Sequence, residues 1–277
     1  MPSFEDEKKS LDNKGYLIFG VLIFIVALVI CYYVYKSINS VELNSKGCPV
    51  KGPFSEHVVL FDQTDTVKDK PIVEVDARNF LNKIKIDVPQ YSRLSIYVIK
   101  NDPEGRNIKP VISVCNPGDE RNLSYFEKSG ITLTVKKYME DWEKNFSQII
   151  NPVINKIMER STSPTSPIFE MINVVSINSF KHSNPKYIHK LVIFSDFMHH
   201  TSEYSFYNTS DINIKKFTDT RYFKNVYSSL RDNVDVELYC YKRYENGQCD
   251  NVESFWNKYF QEIDAHNNNI KFFRIGS

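Results

Sequence analysis

Over 277 residues the sequence holds only nine glycines and five cysteines, and its formal net charge is +1. Each shortage excludes something. Near-neutral charge removes the basic excess on which a dedicated nucleic-acid binder depends. No C-x-x-C pair occurs, so a zinc site is not indicated. There is no Gly-rich phosphate loop or Walker pattern. No G-x-S-x-G occurs either, which removes the usual setting of a serine hydrolase nucleophile. No internal repeat or low-complexity tract is present. Aromatics, by contrast, are plentiful: 17 Tyr and 19 Phe. They are expected to fill much of the core of a chain this long.

One hydrophobic run stands apart. Residues 16–35, YLIFGVLIFIVALVICYYVY, carry no charge. About 20 apolar residues rising about 1.5 Å each cross a hydrocarbon layer of about 30 Å. Tyr16 flanks one end and Tyr32, Tyr33 and Tyr35 the other, where an interfacial aromatic belt is expected. The run exceeds a signal-peptide core, and large tyrosines stand where small cleavage-site residues would be required. The sequence therefore predicts a polar tail (1–15), an uncleaved single-pass transmembrane helix (16–36), a stalk (37–55) and a folded domain (56–277). Lys8, Lys9 and Lys14 precede the run, and Lys36, Lys46 and Lys51 follow it. The first group lies slightly closer, which favours a cell-membrane protein with its soluble domain on the extracytoplasmic side. Among the cysteines, Cys240 and Cys249 can pair across a loop in an oxidising compartment. The preferred reading keeps Cys48, Cys115, Cys240 and Cys249 as small buried or loop thiols.

Beyond the stalk, strand and helix patterns alternate. Strands are expected at 57–61, 93–100, 110–115, 187–197, 234–242 and 270–275. Helices are expected at 71–86, 134–159 with a kink at Pro152, 168–180, 213–231 and 251–265. Such alternation predicts an α/β fold: a doubly wound, mostly parallel sheet with helices on both faces. Ligands in such sheets bind beyond the carboxyl ends of the strands, where strand order reverses.

The first strand, HVVLF, stops at Asp62-Gln63-Thr64-Asp65-Thr66. Read as D-x-T-x-T, alternate side chains bring one carboxylate and two hydroxyls toward one point. Hard oxygens of this kind suit a divalent cation. Asp and Thr also serve simply as strand-ending turn residues. The strand LVIFSDF ends in Asp196, and the loop SPTSPIFEMI presents Thr165 and Ser166 just before a helix. Together these resemble the von Willebrand factor A domain and its metal-ion-dependent adhesion site, whose pattern is D-x-S-x-S, a later Thr, and an Asp after the fourth strand.

The resemblance covers roughly residues 55–277. It implies metal ligation by Asp62, Thr64, Thr66, Ser166 and Asp196, with Thr165 the rival of Ser166. It departs from the family in three places. Thr stands for Ser at both hydroxyls of the first loop. Ser166 stands where Thr is usual. Phe197 follows Asp196 where the family often has Gly. The implied ion is Mg2+, with Mn2+ or Ca2+ acceptable, and an acidic side chain of a partner protein would complete its coordination. Aromatic and imidazole groups beside Asp196 (Phe197, His199, His200, Tyr204 and Phe206) are candidate partner contacts. The expectation is thus a membrane-anchored interaction module in a larger assembly, not an enzyme. Two alternatives remain. FDQTDTV also looks like the DKTGT motif of P-type and haloacid-dehalogenase phosphoryl transfer, with Asp62 as nucleophile. The domain is otherwise a metal-free scaffold.

Overall fold

The computed structural model describes residues 4–38, 41–63, 71–99, 108–122, 132–157, 163–208, 212–230, 233–241, 248–263 and 269–275. The chain divides into two compact units, Met1–Glu42 and Leu43–Ser277. The first is one helix, α1 (Phe4–Ile38). Its Tyr16–Tyr35 stretch is long and apolar enough to cross a membrane, and its side chains are exposed throughout.

The second unit is built on six strands: β1 (Glu56–Asp62), β2 (Arg93–Ile99), β3 (Ile112–Cys115), β4 (His189–Ser195), β5 (Val234–Tyr241) and β6 (Ile270–Ile275). Their order across the sheet is β3-β2-β1-β4-β5-β6. All neighbours run parallel except the β2–β3 pair. The chain thus steps outward from β1 to β3, then returns to the other side of β1 as β4. Strand order reverses between β1 and β4. This is the expected doubly wound α/β fold.

Burial explains why these strands read so plainly. β1 is buried at every position, so its apolar run has no polar alternation. On one face Val58 and Leu60 join Leu191 and Ile193 beneath α5 (Ile168–Val175), α6 (Ile214–Thr218), α7 (Arg221–Val226) and α8 (Gln248–Glu262). On the other face Val59 and Phe61 join Val192 and Phe194 against α2 (Pro71–Asp87) and α4 (Gln148–Ile157).

Three helices depart from expectation. The long helix at 134–159 is α3 (Thr132–Trp142) and α4, joined through a π-turn at Glu143–Ser147, with Pro152 inside α4. The segment 168–180 is α5 followed by a π-turn at Ser176–Phe180. The segment 213–231 splits into α6 and α7, each with its own cap. The Asn213 side chain accepts from the Lys215 and Lys216 amides, and the Thr220 side chain accepts from Phe223 N.

Two disulfides, Cys48–Cys115 and Cys240–Cys249, replace the expected free thiols. Cys240 and Cys249 were a recognised pair across a loop. Cys48–Cys115 was not, because 67 residues separate its halves. Residues 43–55, expected as stalk, belong to the second unit. They are held there by Cys48–Cys115 and by backbone bonds from Cys115 N to Lys46 O and from Phe54 N to Tyr91 O.

Candidate functional site

β1 and β4 end side by side, with Phe61 in register with Phe194. The next residues, Asp62 and Ser195, therefore stand adjacent at the carboxyl rim, where strand order reverses. Asp62 is fully buried. Its Oδ2 accepts from Ser195 Oγ at 2.7 Å and from Ser166 Oγ at 2.9 Å. Ser166 comes from the loop ahead of α5, and two backbone bonds clip that loop to the one after β4. Ser166 N donates to His200 O at 2.7 Å, and His200 N donates to Ser166 O at 3.0 Å. Three separate segments thus meet at one carboxylate. Thr165, the rival of Ser166, is half-buried, and its carbonyl accepts from Ser163 Oγ.

Asp196 follows β4 directly and is 2% exposed. Its Oδ1 accepts from Met198 N at 2.8 Å, an Asx turn that bends the chain at the rim. Phe197, between them, adopts φ 60°. This is the left-handed region that L-residues other than Asn and Asp rarely occupy. Phe197 N donates to Ser195 Oγ at 2.9 Å, and its carbonyl accepts from Trp256 Nε1 at 3.2 Å. Ser195 therefore accepts from one side of this turn and donates to Asp62 on the other. The sequence reading gave it no role, although its place before Asp196 at a strand end was the available signal.

Behind the rim lies a buried polar chain. Tyr222 Oη donates to Glu170 Oε1 at 2.6 Å and stands 2.9 Å from His199 Nε2. One phenol proton cannot serve both, so the geometry assigns Nε2–H of His199 as donor to the Tyr222 oxygen. Burial, with a lesser contribution from His200, pushes His199 down to about 3, so its imidazole is neutral. Burial also raises the Glu170 carboxyl, opposed by the Tyr222 hydrogen bond. Tyr222 is raised well above the usual phenol range, first by burial and then by the Glu170 charge.

The aromatic loop turns inward, which corrects part of the expected partner surface. Phe197, His199 and Phe206 are buried. Phe197 packs on Trp256 and Phe272, and Phe206 packs on Phe169 and Phe255. Tyr204 is half-buried, its ring stacked on Tyr222 at 5.4 Å. These rings complete the core over α5–α8, and that apolar burial outweighs any benefit of surface display. His200 remains half-exposed, with Nδ1 2.8 Å from Ser205 Oγ. Tyr207 is exposed.

Thr64 and Thr66 lie outside the described residues. The described donors at the rim are the Asp62 and Asp196 carboxylates and the Ser166 and Ser195 hydroxyls. All are hard oxygens, the set that Mg2+, Mn2+ or Ca2+ accepts. Among the described residues there is no group of three or more His, Cys, Asp or Glu placed to hold a metal. An ion here would rely on the hydroxyls and on water.

No family model matches the sequence, and no curated protein matches it. Among solved structures the chain is similar to one described as von Willebrand factor type A from Catenulispora acidiphila. The match is 8% identical, has a TM-score of 0.36, and covers 80% of this chain and 39% of that one.

Proposed function

We propose that this chain is a membrane-anchored protein-interaction module of the von Willebrand A kind, with a cation-dependent rim. The observation that carries the reading is the meeting of Asp62, Ser166 and the Ser195-Asp196 turn at the strand-order reversal. In this reading Asp62, Ser166 and Asp196 hold the ion, joined by Thr64 and Thr66. The ion supplies an open coordination position for an acidic side chain of a partner, which would otherwise resist desolvation. Around the rim, His200, Tyr204 and Tyr207 are the groups left to touch that partner. Two disulfides in one small domain favour an oxidising compartment, which agrees with the extracytoplasmic side. The anchor is α1. Full burial of Asp62 weighs against its serving as a phosphoryl nucleophile.

A second reading has its own observation. Asp62 Oδ2 already accepts from two hydroxyls, so the rim is also a self-satisfied clasp that suits a metal-free scaffold. Titrating the full-length protein in nanodiscs with Mg2+ separates the two. Ligation predicts a rise in unfolding free energy of about 2.7 kcal/mol at one hundred times the dissociation constant. That rise is lost in Asp196→Asn and Ser166→Ala. A wild-type melting curve indifferent to Mg2+, Mn2+ and Ca2+ leaves only the scaffold.

A further inference from the structure

The end of the sheet opposite the rim carries a surface that the rim does not explain. Phe54 precedes β1, Tyr91 precedes β2, and Tyr187 and Ile188 precede β4. Because these strands are parallel, all four residues lie at the amino-terminal end of the sheet. Phe54 stacks on Tyr187 with ring centroids 5.0 Å apart, and meets Tyr91 edge-on at 5.4 Å. This cluster is not sealed: Tyr187 is 37% and Ile188 62% exposed. The segment leading into β1 adds Val50, also exposed. It is pinned here by Cys48–Cys115, since Cys115 ends the antiparallel β3 at this same end. Gly47 makes the close approach that the pin requires. Its φ is +70°, and a Cβ there would stand 3.2 Å from Cys115 O.

Exposed charge at this end is mainly basic, with exposed Asp87 and half-buried Asp235 on the acidic side. Lys46, Lys51, Lys181 and Lys186 are exposed. Glu56, the acid that opens β1, is buried and bridged by Arg93. Exposed Tyr and Ile among lysines is the chemistry of a lipid–water interface: rings and branched chains at headgroup level, ammonium groups toward anionic lipid. Chain length makes that surface reachable. Residues 36–47 alone separate Tyr35 from Cys48, and fully extended they reach no more than about 45 Å.

We propose that this aromatic and lysine-bearing end docks on the bilayer that holds α1, leaving the Asp62–Asp196 rim at the opposite end of the sheet free for a partner. The inference rests on the anchor assigned under the proposed function, so its test carries an internal control for that anchor.

The full chain is reconstituted in vesicles of phosphatidylcholine with phosphatidylserine, with and without lipids brominated near the headgroup or, for the mid-span Phe24→Trp, near the ends of the acyl chains. Indole emission is read from Ile188→Trp, Tyr207→Trp and Phe24→Trp, each corrected for the parent protein. Docking predicts that the Ile188→Trp emission is blue-shifted and quenched by brominated lipid, whereas that of Tyr207→Trp at the rim is not. Lys181→Glu with Lys186→Glu reduces the Ile188→Trp quenching. Phe24→Trp quenched with Ile188→Trp unquenched overturns the docking and leaves the anchor standing. Phe24→Trp unquenched removes the anchor and the proposal together. An Ile188→Trp emission shielded but indifferent to brominated lipid, and growing with protein-to-lipid ratio, identifies a second copy as the occupant and also overturns the proposal.

Discussion

Breaking Cys48–Cys115 is predicted to cost more than breaking Cys240–Cys249, and the difference follows from sequence separation. The first closes a span of 67 residues and the second a span of 9. In the chain-entropy account, the freedom removed from the unfolded ensemble grows with the logarithm of loop length. It amounts to about 4.4 kcal/mol for the long loop and about 2.6 kcal/mol for the short one. Alanine pairs add cavity terms. Cys115, Cys240 and Cys249 are fully buried, and Cys48 nearly so, which makes the cavity contributions comparable and preserves the ranking. The measurement is urea unfolding of Cys48→Ala/Cys115→Ala and Cys240→Ala/Cys249→Ala proteins in nanodiscs, beside oxidised wild type. The long-loop pair should lose about 4 kcal/mol, a fall in melting temperature on the order of 10 °C for a domain of this size. The rim should be spared, because Cys48–Cys115 lies at the other end of the sheet. A reversed ranking refutes the argument. So does peptide mapping that finds Cys48 and Cys115 open to alkylation in the native protein.

Three further outcomes are expected. Ser195→Ala should cost more than Ser166→Ala, about 2 against about 1 kcal/mol in metal-free buffer. Ser195 both donates to Asp62 and accepts from Phe197 N, whereas the Ser166 side chain makes only the Asp62 bond among those described. Equal costs by chemical denaturation would deny the double role. At Phe197 the φ of 60° inverts the usual ranking of small residues. Phe197→Gly should be more stable than Phe197→Ala by about 1 kcal/mol, although both lose the ring packing. His57 and His199 are each held down to about 3 by burial, so both are neutral when folded, against 6.5 when free. Their contribution is complete above about pH 6.5 and is lost as pH falls toward 3. It declines by about 1.4 kcal/mol per pH unit per histidine across that window. Glu56 and Glu170, raised by burial, oppose this at the acid end. His57→Gln should flatten stability between pH 6.5 and 5 by one proton, read from unfolding midpoints across pH.

The sheet was legible because its central strands are buried on both faces. β1 and β4 have no solvent side, so their sequences are unbroken apolar runs, and helical periodicity lies between them. What escaped depends on single side chains rather than on period. Nothing in the apolar spacing of 213–231 announces that Thr220 will cap a second helix, because a Thr on a helix surface reads like any polar residue. Nor does local pattern link Cys48 to Cys115. That pairing exists only once β3 runs antiparallel and brings its end to the base of the sheet.

The rim shows the same division between donors and their arrangement. Asp62, Ser166 and Asp196 were legible as oxygens at strand and loop ends. Ser195 was not, because its role is to tie Asp62 to the turn that follows. Phe197 is the instructive case. A left-handed residue is needed right after Asp196, so that the chain can double back and close the Asx turn on Met198. Glycine meets that need at no steric cost. Here phenylalanine bears the strain and gains what glycine lacks. Its ring is fully buried against Trp256 and Phe272, and its carbonyl accepts from the indole. Burying such a ring stabilises by about 2–3 kcal/mol, more than the 1–2 kcal/mol that a left-handed L-residue costs. The rim turn is therefore fixed from beneath by α8 instead of being free to flex. The same ring that sequence reasoning offered to a partner is the part that locks Asp196 in place.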